Sequence, residues 1–331
     1  MKSVKSQHIL FATLLLMATT HAAQAKSIIN SPSDIKAITA LETDLNTQIS
    51  MKNLIKYYAP NAVVFDMIAP GVYQGRAQIA QNFQAQLNAV QSMKHTMPEL
   101  NIASDGTMAC AAMQLHFDST MKNGQTYSIS VRQIDAFRKI NGKWKIIQEH
   151  ISVPADPKTG MAVMDAPIQT GAPMNWDNDV LSDPPVSPAQ AKAEIRKWME
   201  DGALTTNSDQ LMQAYGPGDD VLVYDGFTPP DVLRGKQAIR NDYGPMVDNY
   251  ANVVAKMPLL VVDSDGSFGA EINVQNLVLT MKNGTRTDFS LRQSDCLHRI
   301  NGKWYSFFEM ISFPVDVKTG KSVMLNPGAF Q

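Results

Sequence analysis

The chain repeats itself over a long period. Met121-Lys122-Asn123-Gly124 recurs as Met281-Lys282-Asn283-Gly284, Ile140-Asn141-Gly142-Lys143-Trp144 as Ile300-Asn301-Gly302-Lys303-Trp304, and Lys158-Thr159-Gly160 as Lys318-Thr319-Gly320, each 160 residues apart. The same offset superposes Arg132-Gln133 on Arg292-Gln293, Asp135 on Asp295 and Glu149 on Glu309. Solenoid repeats run about 20–50 residues, so a period this long is a domain duplication. Upstream, Val64-Phe65-Asp66 meets Val223-Tyr224-Asp225 at an offset of 159, which places one extra residue in the second copy before Gly235, the partner of Gly75. Residues 166–188 hold Pro167, Pro173, Pro184, Pro185 and Pro188 and no periodic apolar face, the signature of an extended linker. The expected domains are therefore 32–165 and 189–327.

Each copy opens with helical periodicity and closes with strands. Pro32 and Asp34 precede Ile35, Ile38, Leu41, Leu45 and Ile49, a spacing that paints one helix face. A second short helix ends near Tyr58-Ala59-Pro60, residues 62–67 are strand-like, and Ile79, Phe83 and Leu87 mark a third helix after Gly75. Asn123-Gly124 and Asn141-Gly142 each sit between apolar-patterned runs, where two residues at positive φ make a tight hairpin. Three antiparallel strands are expected, over 107–121, 125–139 and 143–153. Helices first and a meander last indicate an α+β fold, a curved, mainly antiparallel sheet covered by about three N-terminal helices.

Composition narrows the partners. A formal charge of -2 removes the electrostatic drive for nucleic-acid binding. Lys2 and Lys5, an apolar run from Ile9 to Ala18 and Ala23-Gln24-Ala25 read as a signal peptide over residues 1–25, which predicts a periplasmic or secreted protein. No apolar run approaches the roughly 18 residues of a transmembrane helix. Two cysteines, Cys110 and Cys296, make neither a disulfide framework nor a thiolate zinc site; they pair between domains or stay as buried thiols. His95, His116 and His150 correspond to Ala255, Asn276 and Met310, so histidine is not part of the shared framework. Neither a metal nor a cofactor is expected.

Strand alternation points carboxylates at the covered face. Tyr127, Ile129, Val131, Gln133, Asp135 and Phe137 share one side of their strand, and Ile147, Glu149, Ile151 and Val153 one side of the next. The second copy repeats this with Gln293 and Asp295, and with Phe307, Glu309, Ile311 and Phe313. His150 lies opposite Glu149. An unpaired buried carboxylate costs several kcal/mol, so these acids are hydrogen-bonded, paired or neutral. Bonding to backbone or to each other at the rim of a core is the simplest role for them.

At these residues the sequence resembles a known family. Tyr58-Ala59, Ala62, Val64, Asp66, Gly75 and Ile79 are similar to the segment carrying the general-base aspartate of bacterial ketosteroid isomerases, and Ile134-Asp135-Ala136-Phe137-Arg138 to the segment with the oxyanion-hole aspartate. Gly142-Lys143-Trp144 through Glu149-His150-Ile151-Ser152-Val153-Pro154 resembles the SnoaL-like group of the same nuclear-transport-factor-2-like superfamily. The resemblance implies two cone-shaped domains with Asp66 as base and neutral Asp135 as hydrogen-bond donor. The chain departs from the isomerases near Glu42, where their oxyanion-hole tyrosine falls. It departs from the epoxide hydrolases at Gln133 and Gln293, where an arginine belongs.

Two functions follow from these residues. The first is an exported protein that binds a small, largely apolar ligand in each domain, using Tyr58, Phe83 and Gln133 in one and Tyr215, Asp225, Tyr243, Gln293, Asp295 and Glu309 in the other. The alternative is an isomerase, cyclase or dehydratase that abstracts a proton next to a carbonyl, with Asp66, Asp135 and Glu149 catalytic. Such tyrosines also serve as core residues bonded to a backbone carbonyl. The inserted residue after Asp225 and the three histidines of the first copy place any chemistry in that copy. The two domains are expected to pair within the chain through their sheets.

Overall fold

The computed structural model describes residues 30–174, 176 and 185–323. The leader expected over 1–25, linker residues 175 and 177–184, and residues 324–327 of the second domain lie outside them. Among the described residues no helix is long and apolar enough to cross a membrane.

The first copy runs α1 (Pro32–Leu45), α2 (Met51–Leu54), β1 (Tyr58–Phe65), β2 (Val72–Gln74), α3 (Gly75–Leu87), β3 (Val90–Ser104), β4 (Met108–Met121), β5 (Thr126–Ile140) and β6 (Lys143–Ser152). The second repeats it as α4 (Pro188–Gly202), α5 (Ser208–Leu211), β7 (Leu222–Tyr224), β8 (Val232–Arg234), α6 (Gly235–Val247), β9 (Tyr250–Ser264), β10 (Phe268–Met281), β11 (Arg286–Ile300) and β12 (Lys303–Ser312). Each copy is α+β, a six-stranded sheet in the order β2-β1-β6-β5-β4-β3 or β8-β7-β12-β11-β10-β9. Neighbours are antiparallel except β1 with β6 and β7 with β12.

Local chemistry explains where the elements begin. The Ser31 and Ser187 side chains accept from the Asp34 and Gln190 amides at 3.2 Å, and Pro32 and Pro188 occupy first-turn positions that need no N–H. Trp144 Nε1 donates to Asp34 and Trp304 Nε1 to Glu194, so each opening helix is pinned to the last strand of its own sheet.

Four sequence readings need correction. The covering helices are not all N-terminal, because α3 and α6 follow two short strands. The strands β3 and β9 were not expected. Both are rich in polar residues and contain a proline, Pro98 or Pro258, which lies where the register with β4 or β10 shifts. Asn141-Gly142 is the expected tight turn, with φ of 50° and 74°, whereas at Asn123-Gly124 only the glycine has positive φ and the connection is longer. A bulge between Ala136 and Phe137 pairs Phe137 with Ile146, so Ile146 rather than Ile147 shares the face of Glu149; the matching bulge puts Ser306, not Phe307, beside Asp295.

The outer faces of the two sheets pack on each other. His150, fully buried, bonds Ser294 Oγ at 2.9 Å and Ser312 Oγ at 2.6 Å. Val63, Phe65, Ile272 and Val274 form an apolar cluster across the same interface, and Cys110 and Cys296 are disulfide-bonded. Short bridges Ile68 to Val315 and Ala155 to Phe227 close the two ends. Arg132 and Arg292, equivalent under the repeat, each reach into the opposite domain. Arg292 Nη1 donates to the carbonyls of Asp66 at 2.5 Å and Gly71 at 2.9 Å, and Arg132 Nη1 to those of Asp225 and Asp231.

Candidate functional site

In the first domain a cavity of about 230 Å³ lies between the sheet and its helices. Its wall is mostly apolar, with Leu54, Phe83, Met93, Phe117, Val131 and Ile151 contributing. Polar groups also border it, among them Tyr58, Asp66, Gln133 and Glu149.

Asp66 follows the last residue of β1. Its backbone N–H bonds Gly71 O at 3.0 Å and closes the turn into β2. Gly71 has a φ of 69°, and a Cβ there would lie 2.5 Å from Arg292 Nη1 and 2.6 Å from Asp66 O, so only glycine fits under the arginine. Asn82 and Gln86, four residues apart on α3, donate to Asp66 Oδ2 at 2.8 and 2.6 Å. Sequence reasoning passed over both amides, although their helical spacing puts them on one face.

Glu149 stands across the sheet. Tyr58 donates its hydroxyl to Glu149 Oε2 at 2.7 Å, while the buried Oε1 has no partner among the described residues. Burial, reinforced by the charge of Asp135 and partly offset by Tyr58, holds this carboxyl well above the usual range. The neutral carboxyl is thereby favoured, and Oε1 is the oxygen that can offer its proton.

Asp135 pairs with Glu149 in the β5–β6 register and shares its face, as the alternation predicts. It does not border the cavity. Its Oδ2 accepts from Gln133 Nε2 at 2.7 Å, and Oδ1 turns to Glu42, a fully buried glutamate on α1. No N–H or O–H of the described residues reaches either oxygen of Glu42 or Asp135 Oδ1, yet the two carboxyls hydrogen-bond each other. That bond requires a shared proton. Burial pushes Glu42 up to about 8, and burial together with the Glu42 charge holds Asp135 well above the ordinary carboxylate range. The neutral form of Asp135 is favoured, and this residue does not present its carboxyl to the cavity. Glu42 is the site residue that periodicity concealed: it lies between Leu41 and Leu45 on the buried face of α1.

The second domain keeps the chemistry and moves one part. Tyr215 donates to Glu309 Oε2 at 2.7 Å and Gln293 to Asp295 Oδ2 at 2.8 Å. The buried face of α4 is Ala191, Ile195 and Met199, with no carboxylate. The third acid is instead Glu271 on β10, where the first domain has Ala111. Glu271 bonds Asp295 and accepts from Asn273 Nδ2 at 2.8 and 3.0 Å. Ser306 Oγ donates to Asp295 Oδ1 at 2.5 Å. Burial first, then Asp295, holds Glu271 and Glu309 well above the usual range, and Asp295 is also raised.

Asp225 sits as Asp66 does. Its N–H bonds Asp231 O at 3.0 Å, so the extra residue is absorbed in the loop that this bond closes. Its partners differ, however. Asp242 and Met246 replace Asn82 and Gln86, and Tyr243, in place of Phe83, donates to Asp225 Oδ1 at 3.0 Å. Tyr215 also borders an open groove of about 830 Å³ beside Trp198. None of the three first-copy histidines lines the first cavity. His116 bonds Ser128 and Ser130, His95 packs beside Phe117, and His150 lies between the sheets. Among the described residues no group of three or more His, Cys, Asp or Glu is placed to hold a metal ion.

Residues 35–156 match the family model described as the SnoaL-like domain. No curated protein matches the chain in sequence. Similar solved structures include an NTF2-like protein of unknown function from Pseudomonas putida KT2440, 21% identical over 41% of this chain and 95% of that one with a TM-score of 0.37. An NTF2-like superfamily protein from Salmonella enterica serovar Typhimurium LT2 is 24% identical over 40% and 96%, TM-score 0.33. A protein of unknown function with a cystatin-like fold from Nostoc punctiforme is 22% identical over 38% and 94%, TM-score 0.33.

Proposed function

We propose that the chain is a tandem duplication of a SnoaL-like domain, the family whose model matches residues 35–156, and that the first domain binds a small, largely apolar compound bearing a polar end. The observation that carries this reading is one cavity bordered by both Asp66 and Glu149. Asp66 presents a carboxylate fixed by two amides at Oδ2, and Glu149 presents an unpartnered oxygen on a carboxyl whose neutral form is favoured. A hydroxyl group of the ligand meets both needs, donating to Asp66 and accepting from Glu149, and the apolar wall takes the rest. The second domain, whose Tyr243 and Asn273 already occupy its carboxyls, is a divergent site with fewer free groups. The Cys110–Cys296 disulfide and the leader-like first 25 residues support a periplasmic or secreted location.

The same two groups favour a second reading, proton abstraction next to a carbonyl. Asp66 takes the proton from carbon, and the forming enolate oxygen accepts a hydrogen bond from Glu149 rather than from Asp135. Return of the proton to another carbon completes an isomerisation, and loss of a leaving group completes an elimination.

Ligand capture from cell extract by the purified chain, read by native mass spectrometry, tests the first reading. A captured compound whose retention falls at least tenfold with Glu149→Gln and with Asp66→Asn is the expected result. Retention unchanged by both variants would overturn it. Incubating that compound with the protein in D2O tests the second: Asp66-dependent exchange of a carbon-bound proton supports catalysis, and its absence leaves binding alone.

A further inference from the structure

Trp176 of the linker fills a cleft at the domain interface. Its ring lies 5.5 Å from Phe307 and 5.2 Å from Phe308, and Nε1–H donates to the Asp220 carbonyl at 3.0 Å. The side chain is 1% exposed. Under the duplication, Phe307 and Phe308 correspond to Ile147 and Gln148, and Asp220 corresponds to Asn61 at the offset of 159 that holds before Gly235. Ile147, Gln148 and Asn61 all line a second cleft, about 400 Å³ in volume, bounded by Val262 of the opposite domain. No aromatic side chain is among the residues that line it.

We propose that this open cleft, the internal-symmetry mate of the one plugged by Trp176, binds a planar aromatic acid of about the size of an indole. The volume falls within the roughly 300–1,000 Å³ of small-molecule sites. Ile140, Ile147 and Val262 supply apolar walls, and the repeat sets them against Ile300, Phe307 and Ile102. Asn61, an exposed residue, lies where the pairing of β1 with β6 lapses between Tyr58 and Val63, and it corresponds to Asp220, whose carbonyl accepts the indole N–H in the mate. The rim sets the sign of the ligand. Arg138 Nε and Lys192 Nζ both bond Asp263, at 2.9 and 2.8 Å, so two cations share one carboxylate and an excess positive charge faces the cleft. A carboxylate on the ring neutralises it. This site is separate from the first-domain cavity and does not rest on the function proposed for it.

Methyl NMR of the isoleucine- and valine-labelled chain titrated with indole-3-propionate tests the proposal. Saturable shifts at Ile140, Ile147 and Val262, with a dissociation constant on the order of 1 mM for a ligand of this size, are expected. Lys192→Gln should weaken the acid about two- to fivefold, as for loss of a partly exposed ion pair, and leave the neutral comparator 3-methylindole unchanged. Trp176→Ala should open the mate and add a second equivalent of binding. If that variant fails to fold, the titration of the unsubstituted chain stands alone. No shift at about 10 mM probe, or shifts confined to Ile129, Val131 and Ile151 of the first-domain cavity, would overturn the assignment.

Discussion

Glu42→Gln should flatten the pH dependence of stability. Glu42 faces Asp135 with no other donor in reach, and burial pushes it from 4.5 up to about 8. In the unfolded chain the group ionises near its ordinary value, so between those limits the native state binds more protons than the unfolded one. The contribution is fully present below about pH 4.5 and is lost as pH rises through about 8. At about 1.4 kcal/mol per pH unit, the interval from pH 6 to 8 removes roughly 3 kcal/mol. The glutamine amide donates to Asp135 Oδ1 without titrating, so the variant lacks this loss. Urea unfolding at pH 6 and pH 9, followed by tryptophan fluorescence, provides the comparison. The variant is expected within about 1 kcal/mol of the parent at pH 6, and more stable by roughly 3 kcal/mol at pH 9. Asp135 loses the Glu42 charge in the variant, so the double difference reports the Glu42–Asp135 pair as a unit. A gap that does not change between the two pH values would refute the Glu42–Asp135 proton and the neutrality of Asp135 that depends on it.

Arg292→Met should destabilise the chain by about 2–4 kcal/mol, since it strips a charged donor from two buried carbonyls. Amide hydrogen exchange should quicken at residues 66–71 and not at 225–231, with Arg132→Met giving the reverse. The disulfide spans a sequence separation of 186 residues, and Cys110→Ala combined with Cys296→Ala should cost about 3–5 kcal/mol in denaturant unfolding, with the parent matching it once reduced. Tyr243→Phe removes the hydroxyl that lowers Asp225 against the raising effect of burial. Carboxyl-carbon NMR should then show Asp225 titrating at higher pH.

The sequence disclosed most where one copy could be checked against the other. The duplication, the Asn141-Gly142 hairpin and the shared face of Asp135 and Glu149 were all legible because period-2 alternation and turn chemistry are local. The strands β3 and β9 escaped because Pro98 and Pro258 interrupt them, and only the sheet shows that each proline falls at a register shift. Phe307 was placed on the wrong face because a bulge is a property of a strand pair, not of one strand. The third carboxyl was hidden for a different reason. It comes from α1 as Glu42 in one domain and from β10 as Glu271 in the other, so aligning the copies sets Glu271 on Ala111 and makes it look unshared. Which acid offers its proton to the cavity is likewise beyond periodicity, since Asp135 and Glu149 share a face and differ only in what each oxygen meets.

The linker has a consequence for what each half is free to become. In a two-fold dimer of identical chains every substitution appears twice, and any group that closes one cleft closes its mate. Here a single indole, encoded once, shuts one side of the interface and leaves the other open. Joining the copies end to end has given the molecule a left and a right. Either side can therefore accept changes that a symmetric assembly would have to make on both.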